Sequence, residues 1–350
     1  MKTYSSLIFS TAPWERLHAF LNNQKYSTIH VLADDQTEIH CLPILKEHLS
    51  LPISSCFVIQ SGEASKSLET CTRIWEHLLH QNPDRNSLII CLGGGVITDL
   101  GGFCASVLLR GLDTLYIPTS LMAMADAAIG GKTAVNFEYY KNQIGSFHAP
   151  LAIAIDYRFL NSLPDRHVRN GFVEIIKHSL ISSPSYWWDI TSLEWPLSQS
   201  TLQDFIKKSI RSKTEIVEKD YLENGIRKVL NFGHTIGHAL ESYCMAHNQD
   251  VLHGEAIAIG IICESYLSGQ RNRWKPHLID QIKSVLKPFT GTLQISKQDY
   301  PEIIRFLLAD KKKQNREVHF SLLEQIGQPI LNQRVSEEEL VNSLDYYNLN

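Results

Sequence analysis

Through the first 160 residues, short β-branched apolar runs alternate with stretches of helical periodicity. Runs at 28–33, 56–60, 88–92 and 114–118 read as strands, and 67–80 and 100–109 read as helices. That alternation is the rhythm of a parallel sheet built from βαβ units. Beyond residue 160 the texture turns helical. Leu163-Pro164-Asp165 reads as a linker and helix start, 171–180 (GFVEIIKHSL) as an amphipathic helix, and 205–219 as another. A strand-like run at 318–323 interrupts the final third, and Ser336 with Glu339 forms a capping box for a last helix. The pattern predicts an α/β chain with a Rossmann-like parallel-sheet domain over 1–160 and a mostly α-helical domain over 161–350.

Composition agrees with two domains: 350 residues, 43% of them hydrophobic, exceed what one core usually holds. A net charge of −4 and a pI near 6.4 argue against a nucleic-acid partner, so any basic cluster should be local and serve a small anion. Seven cysteines form no C-x-x-C pair, which suggests a reducing compartment. The opening MKTYSSLIFSTAPWE has too short an apolar run for a secretory signal. The longest apolar run, 256–263, falls far short of the ~20 residues a membrane helix needs. A cytoplasmic enzyme with no membrane partner is the expectation.

Candidate chemistry gathers at four places. The strand SLIICL runs into Gly93-Gly94-Gly95, followed by Val96-Ile97-Thr98-Asp99 and a helix carrying Gly101 and Gly102. Glycines at the carboxyl end of a parallel strand let backbone approach a phosphate, although the spacing is not G-x-G-x-x-G and such a turn also has a purely structural use. Asp34 and Glu63 follow earlier strands where a ribose-binding carboxylate could sit, with Lys66 near for a pyrophosphate. Next, 118–145 mixes Ala and Gly with Asp126, Lys132, Asn136, Lys141 and Asn142, which reads as a loop held against a ligand. Third, Glu174 and Lys177 share one face of an otherwise apolar helix, where an unpaired carboxylate would be costly and a metal ion would justify it.

The fourth place is LNFGHTIGHALE with the later HGEA. His234 and His238 lie one turn apart on a helical face, Glu241 lies further along it, and His253 follows. A lone histidine is more often a core or surface residue, but three within twenty positions favour a metal or catalytic site that still requires a carboxylate or further ligand from elsewhere. Thr235 occupies the position of the Glu in H-E-x-x-H, so peptide hydrolysis by that route is excluded. Arg227 and Asn231 lead directly into this stretch.

These residues carry a resemblance. GEASKS (62–67), GGGVITD (93–99), RG (110–111), PTSLMAMADAAIGGKTAVN (118–136), KNQIGSF (141–147), LP (163–164), EIIK (174–177), LNFGHTIGHALE (230–241), HGEA (253–256) and DKK (310–312) resemble, in order and over almost the whole chain, the 3-dehydroquinate synthases. These are sugar-phosphate cyclases related in fold to glycerol dehydrogenases. The resemblance implies an NAD-binding first domain and a metal- and substrate-binding second domain. It implies a divalent ion, zinc or cobalt, on Glu174, His234 and His253, which makes His238 a substrate contact. Gly93, Gly94, Gly95, Val96, Ile97, Thr98, Asp99, Thr119 and Ser120 would line the NAD site with Asp34, Glu63, Lys66, Asp126, Lys132, Lys141, Phe159, Leu160, Asn161 and Ser162. Substrate and catalytic positions would be Lys132, Asn142, Lys177, Lys213, Arg227, Asn231, His238, Arg110 and Lys311 or Lys312. Lys213 and Arg227 would take the substrate carboxylate. Arg110 would reach the partner's site in a homodimer.

The implied reaction converts the sugar phosphate 3-deoxy-D-arabino-heptulosonate 7-phosphate into 3-dehydroquinate and phosphate, a step of the shikimate pathway. Transient oxidation at C5 acidifies C6, phosphate leaves by β-elimination, the ketone is reduced again and an intramolecular aldol reaction closes the ring. A polyol dehydrogenase would not need such a cluster of cations, and a cyclase of a substrate without a carboxylate would not need both Lys213 and Arg227. A catalytically dead nucleotide-binding relative would be expected to have lost some of these residues.

Overall fold

A computed structural model describes residues 6–49, 51–138, 140–309 and 318–349. The chain divides into two compact units, Met1–Val168 with Ile206–Thr214, and Arg169–Phe205 with Glu215–Asn350.

The first unit is built on β1 (Leu7–Phe9), α1 (Pro13–Leu21), β2 (Ile29–Asp34), α2 (Asp35–His40), α3 (Leu42–His48), β3 (Ser55–Ile59), α4 (Leu68–His80), β4 (Leu88–Gly93), α5 (Gly95–Val107) and β5 (Asp113–Pro118). A hairpin of β6 (Lys132–Phe137) and β7 (Tyr140–Phe147) follows, and then β8 (Ala152–Ala154). Six strands form a parallel sheet in the order β1-β8-β5-β4-β2-β3. β4 is buried along its whole length, as expected of a central strand covered on both faces, which is why it reads as a continuous apolar run. From β2 the chain steps one way to β3, and from β4 it steps the other way to β5, so the order reverses between β2 and β4. In open parallel sheets ligands bind at such a reversal, beyond the carboxyl ends of the strands.

Two expectations change here. The helix after the glycine turn begins at Gly95, so Val96, Ile97, Thr98 and Asp99 are its first turns instead of a connection into it. The stretch 118–145 is not a loop: it contains a π-helical turn, Ala123–Ala127, and the antiparallel hairpin β6/β7. Its Ala and Gly positions allow close packing, since a β-carbon on Gly145 would lie 2.2 Å from the Thr133 carbonyl oxygen. Small residues here serve strand contact, which sequence periodicity alone could not distinguish from a ligand-binding loop.

The second unit is mostly helical. It takes α6 (Asp165–Ser182) from Arg169 onward, α7 (Pro184–Thr191), both ends of α8 (Gln199–Lys219), α9 (His234–Ala246), α10 (His253–Asn272), α11 (Pro276–Leu286), α12 (Tyr300–Ala309) and α13 (Glu337–Asn348). A two-stranded antiparallel hairpin joins β9 (His319–Gln325) and β10 (Gln328–Arg334). The middle of α8 belongs to the first unit. The apolar run 256–263 lies in the buried part of α10, packed by α9, α11, α13 and β9, so this run is apolar on all sides because protein surrounds it. Among the described residues no helix is long and apolar enough to cross a membrane. Ser336 and Glu339 cap α13 reciprocally, side chain to backbone N–H in each direction.

Candidate active site

In the first unit, β4 ends at Gly93 and Gly94 precedes the first turn of α5 without a capping side chain. A β-carbon on Gly94 would come within 3.2 Å of Ser120 Oγ, and one on Gly102 within 2.0 Å of Tyr116 Oη. Glycine therefore serves two needs: a narrow turn against the segment after β5, and close seating of α5 on the sheet. The N–H groups that open α5 lie at the carboxyl edge of β4, beside the strand-order reversal, and suit an anion. Asp34 closes the neighbouring β2, where its Oδ1 caps α2 by accepting the N–H of Gln36 at 3.1 Å and of Thr37 at 2.8 Å. Strand, glycine turn, helix start with its N–H donors, and an accepting carboxylate on the adjacent strand match the contacts a dinucleotide needs.

Around this turn the polar residues interlock. Lys66, only 4% exposed, donates to Asp99 Oδ2 and Asn142 Oδ1, both at 2.5 Å. Burial pushes the Asp99 carboxyl up, and Lys66 opposes that shift. Asn142 takes a left-handed backbone, φ 58°, and its N–H donates to Asn136 Oδ1, while Asn136 Nδ2 donates to Glu63 Oε1 at 2.9 Å. Lys141 Nζ lies 3.7 Å from Glu63 Oε1. Lys213, on the middle of α8, reaches both the carbonyl and the Oδ1 of Asp126 at 2.8 Å, on the π-helical turn. Lys132 is exposed at the start of β6, and Thr119 is buried with its N–H bonded to the Gly93 carbonyl. In the 3-10 turn Tyr157–Ser162, Phe159 and Leu160 point into the core, so any ligand contact they make passes through backbone, whereas Asn161 and Ser162 are exposed. Arg110 is exposed in a left-handed conformation, φ 69°, before Gly111.

In the second unit three ligand-type atoms converge. Glu174, fully buried on α6, presents Oε1 at 3.6 Å from His234 Nε2 and 3.5 Å from His253 Nε2. The donor atoms of all three lie within 4.8 Å of one another. Each histidine is the first residue of its helix, α9 or α10, and turns its other nitrogen to a fixed partner. His234 Nδ1 meets the Phe232 carbonyl and His253 Nδ1 meets Glu241 Oε2, each at 3.2 Å. A carboxylate or carbonyl behind each imidazole is what sets a ligating histidine's tautomer and ring plane. Two imidazoles and one carboxylate are also the donor set of an open catalytic zinc site. The residues therefore fit a divalent ion.

Electrostatics separate the two histidines. Burial, aided by Lys177, drives His234 well below the ordinary imidazole value. Burial pulls His253 in the same direction, but Glu241 and Glu174 outweigh it and push that imidazole up to about 10. His238 is not part of the three-ligand group. Its ring lies 5.2 Å from that of His234, and its Nε2 lies 3.9 Å from Glu241 Oε2. Lys177, 2% exposed, forms an ion pair with Glu174 Oε2.

Nearby in sequence, Arg227 is 1% exposed, donates from Nη1 to the Tyr221 carbonyl at 2.5 Å, and has its own N–H held by Asp220 Oδ2. Asn231 Nδ2 donates to Glu223 Oε1 at 2.8 Å. Lys311 and Lys312 lie outside the described residues.

Two family models match in succession, 3-dehydroquinate synthase N-terminal over 56–170 and 3-dehydroquinate synthase C-terminal over 171–313. The chain belongs to the 3-dehydroquinate synthase family. A 3-dehydroquinate synthase of Parabacteroides distasonis is 38% identical over 332 residues, covering 95% of this chain and 94% of its own. One of Leptospira interrogans is 37% identical over 303 residues, covering 85% and 82%. Among solved structures, the 2-epi-5-epi-valiolone synthase ValA from Streptomyces hygroscopicus, with NAD+ and Zn2+ bound, superposes with a TM-score of 0.84. It shares 24% identity and covers 99% of this chain and 97% of its own. A 2-deoxy-scyllo-inosose synthase complexed with carbaglucose-6-phosphate, NAD+ and Co2+ gives 0.81 at 22% identity, with 99% of each chain covered. At those identities the likeness is one of fold.

Within this 3-dehydroquinate synthase fold, the contacts that hold the three donor side chains join elements distant in sequence. Glu241 was legible as a carboxylate on the histidine face, but its bond to His253 joins two helices. Asn170, which accepts the N–H of Gly254 beside His253, sits on α6 one turn before Glu174 and carries no local signal.

Proposed function

We propose that this chain catalyses the reaction of its family, conversion of 3-deoxy-D-arabino-heptulosonate 7-phosphate to 3-dehydroquinate and phosphate, as an NAD- and metal-dependent phosphorus–oxygen lyase. The observation that carries the reading is the Glu174, His234 and His253 group with both outer imidazole nitrogens engaged, in a chain whose full-length relatives bear that name. When bound, the metal supplies Lewis acidity toward a substrate hydroxyl, and NAD supplies reversible hydride acceptance.

The chain's own residues do the rest. Glu174, His234 and His253 would hold the ion. The turn Gly93–Gly95, the first turn of α5, Thr119, Ser120 and Asp34 would hold the dinucleotide, with Glu63, Lys66 and Lys141 arranging its polar rim. Lys177, buried against Glu174, is placed to balance negative charge near the ligand group. Arg227 offers a rigid guanidinium suited to a carboxylate. His238 and Asn231 supply hydrogen-bonding groups, and His238 can pass a proton. Lys132, Asn142, Lys213, Asp126, Asn161, Ser162 and backbone of Phe159 and Leu160 remain proposed contacts on the first unit. We also infer a cytoplasmic homodimer in which Arg110 serves the partner's site; mixing Arg110→Ala with His234→Ala protein should restore partial activity if it does.

The test is phosphate release from the heptulosonate phosphate, with and without NAD and a chelator. Release that needs both cofactors and yields 3-dehydroquinate supports the reading. NAD reduction that accumulates without phosphate release would replace it with a simple dehydrogenase.

A further inference from the structure

We propose that Glu264 is a positioning residue for the metal centre, acting from α10 as the missing N-cap of the helix that starts with His234. The proposal rests on the metal-site reading above. Three observations carry it.

The first is the cap itself. A helix normally satisfies its opening N–H groups with the side chain of the residue just before it. Before α9 that residue is Gly233, with φ +81° and no side chain. The carboxylate of Glu264 takes over: Oε2 accepts the Gly233 N–H at 2.7 Å and Oε1 accepts the Ile236 N–H at 3.2 Å. Those two donors bracket His234. The second observation is burial. Glu264 is 0% exposed, and a carboxylate there is tolerated because N–H donors and the positive end of α9 face it. A buried acid is an expensive way to terminate a helix unless the position of that terminus matters.

The third is why the cap cannot come from within α9. A β-carbon at Gly233 would lie 2.3 Å from Ile261 Cγ1, and one at Gly260 would lie 1.9 Å from the Gly233 carbonyl oxygen. α9 and α10 are thus pressed together at the point where His234 begins. Glu264 fixes the start of α9 against α10, the helix that carries His253. Asn170 fixes the start of α10 against α6, the helix that carries Glu174. Glu241 on α9 returns to His253. The three helices are thus tied through α10, which is bonded to α9 by Glu264 and Glu241 and to α6 by Asn170, and Glu264 is the tie at the start of α9 where His234 sits.

The test uses the full chain and reads metal, not turnover. Zinc affinity is measured by competition with a chromogenic chelator, and ligand geometry by the visible spectrum of the Co2+-loaded protein. Glu264→Gln keeps volume and one acceptor but turns an amide donor toward a backbone N–H, so zinc affinity should fall about 10- to 100-fold and the Co2+ bands should shift. Glu264→Asp should recover part of the affinity. Ile262→Ala, a buried truncation on the same helix, should lower the melting temperature while leaving affinity and spectrum unchanged. Wild-type affinity and spectrum in Glu264→Gln would overturn the proposal. Failure of the underlying site reading looks different: the wild-type protein itself would bind no stoichiometric zinc, or would bind it undiminished in Glu174→Gln.

Discussion

His253 stands between two carboxylates: its Nε2 lies 3.5 Å from Glu174 Oε1 and its Nδ1 lies 3.2 Å from Glu241 Oε2. Glu174 lies on the side where the proposed ion would sit and Glu241 stands behind the ring, so the two acids would do different work on one imidazole. Glu241 sets which nitrogen carries the proton and raises the basicity of the other. Glu241→Gln should therefore keep the ring in place but lower metal affinity about 10- to 100-fold, as outer carboxylates do for ligating histidines. Chelator competition measures this, and unchanged affinity would reduce Glu241 to a packing residue.

Metal uptake should depend on pH through His253 in particular. Against burial, its imidazole is pushed from 6.5 up to about 10 by Glu241 and Glu174, so the protonated form contributes stability that is fully present below the ordinary value and lost as pH rises through about 10. The ion needs a neutral ring, so binding must release that proton, and affinity should rise roughly tenfold per pH unit across this window. His234, held well below the ordinary value, is already neutral there and releases none. Calorimetry in buffers of differing ionisation enthalpy counts the protons. A release of zero near neutral pH would contradict this assignment, and Glu241→Gln should weaken the pH dependence.

Lys66 is a buried cation of the first unit, shared by Asp99 and Asn142. Removing it leaves a carboxylate already raised by burial without its cation, so Lys66→Met should cost about 3–5 kcal/mol of unfolding free energy. Adding Asp99→Leu should restore much of the loss, because the uncompensated charge goes with it. Urea unfolding of the single and double variants decides this; losses that simply add would show that the pair is not coupled.

Arg227→Leu should cost about 2–5 kcal/mol of transition-state binding for a substrate with a carboxylate, and much less for an analogue that lacks it. The variant also loses the bond to the Tyr221 carbonyl and should melt earlier. Comparing two substrates on the same folded protein removes that contribution. Equal losses in kcat/KM on both would assign Arg227 to structure alone.

The α/β class, the glycine turn at the end of a central strand, and Glu174, His234 and His253 as candidates for one group were all legible in the sequence. They were so because strand alternation, helical periodicity and ordered motifs are local properties of the chain. Tertiary structure alone decided what those residues do to one another. Small residues at 118–145 could serve a ligand loop or a tight hairpin, and only the pairing of β6 with β7 chose the hairpin. Periodicity places 205–219 on a helix, but cannot show that the middle of α8 belongs with the parallel sheet while its ends belong elsewhere. The partners of the candidate metal group were equally hidden. Gly254 takes its cap from a residue 84 positions away and Gly233 from one 31 positions away. Such bonds leave no periodic trace, because a buried acceptor answers a donor brought near by packing and not by sequence distance.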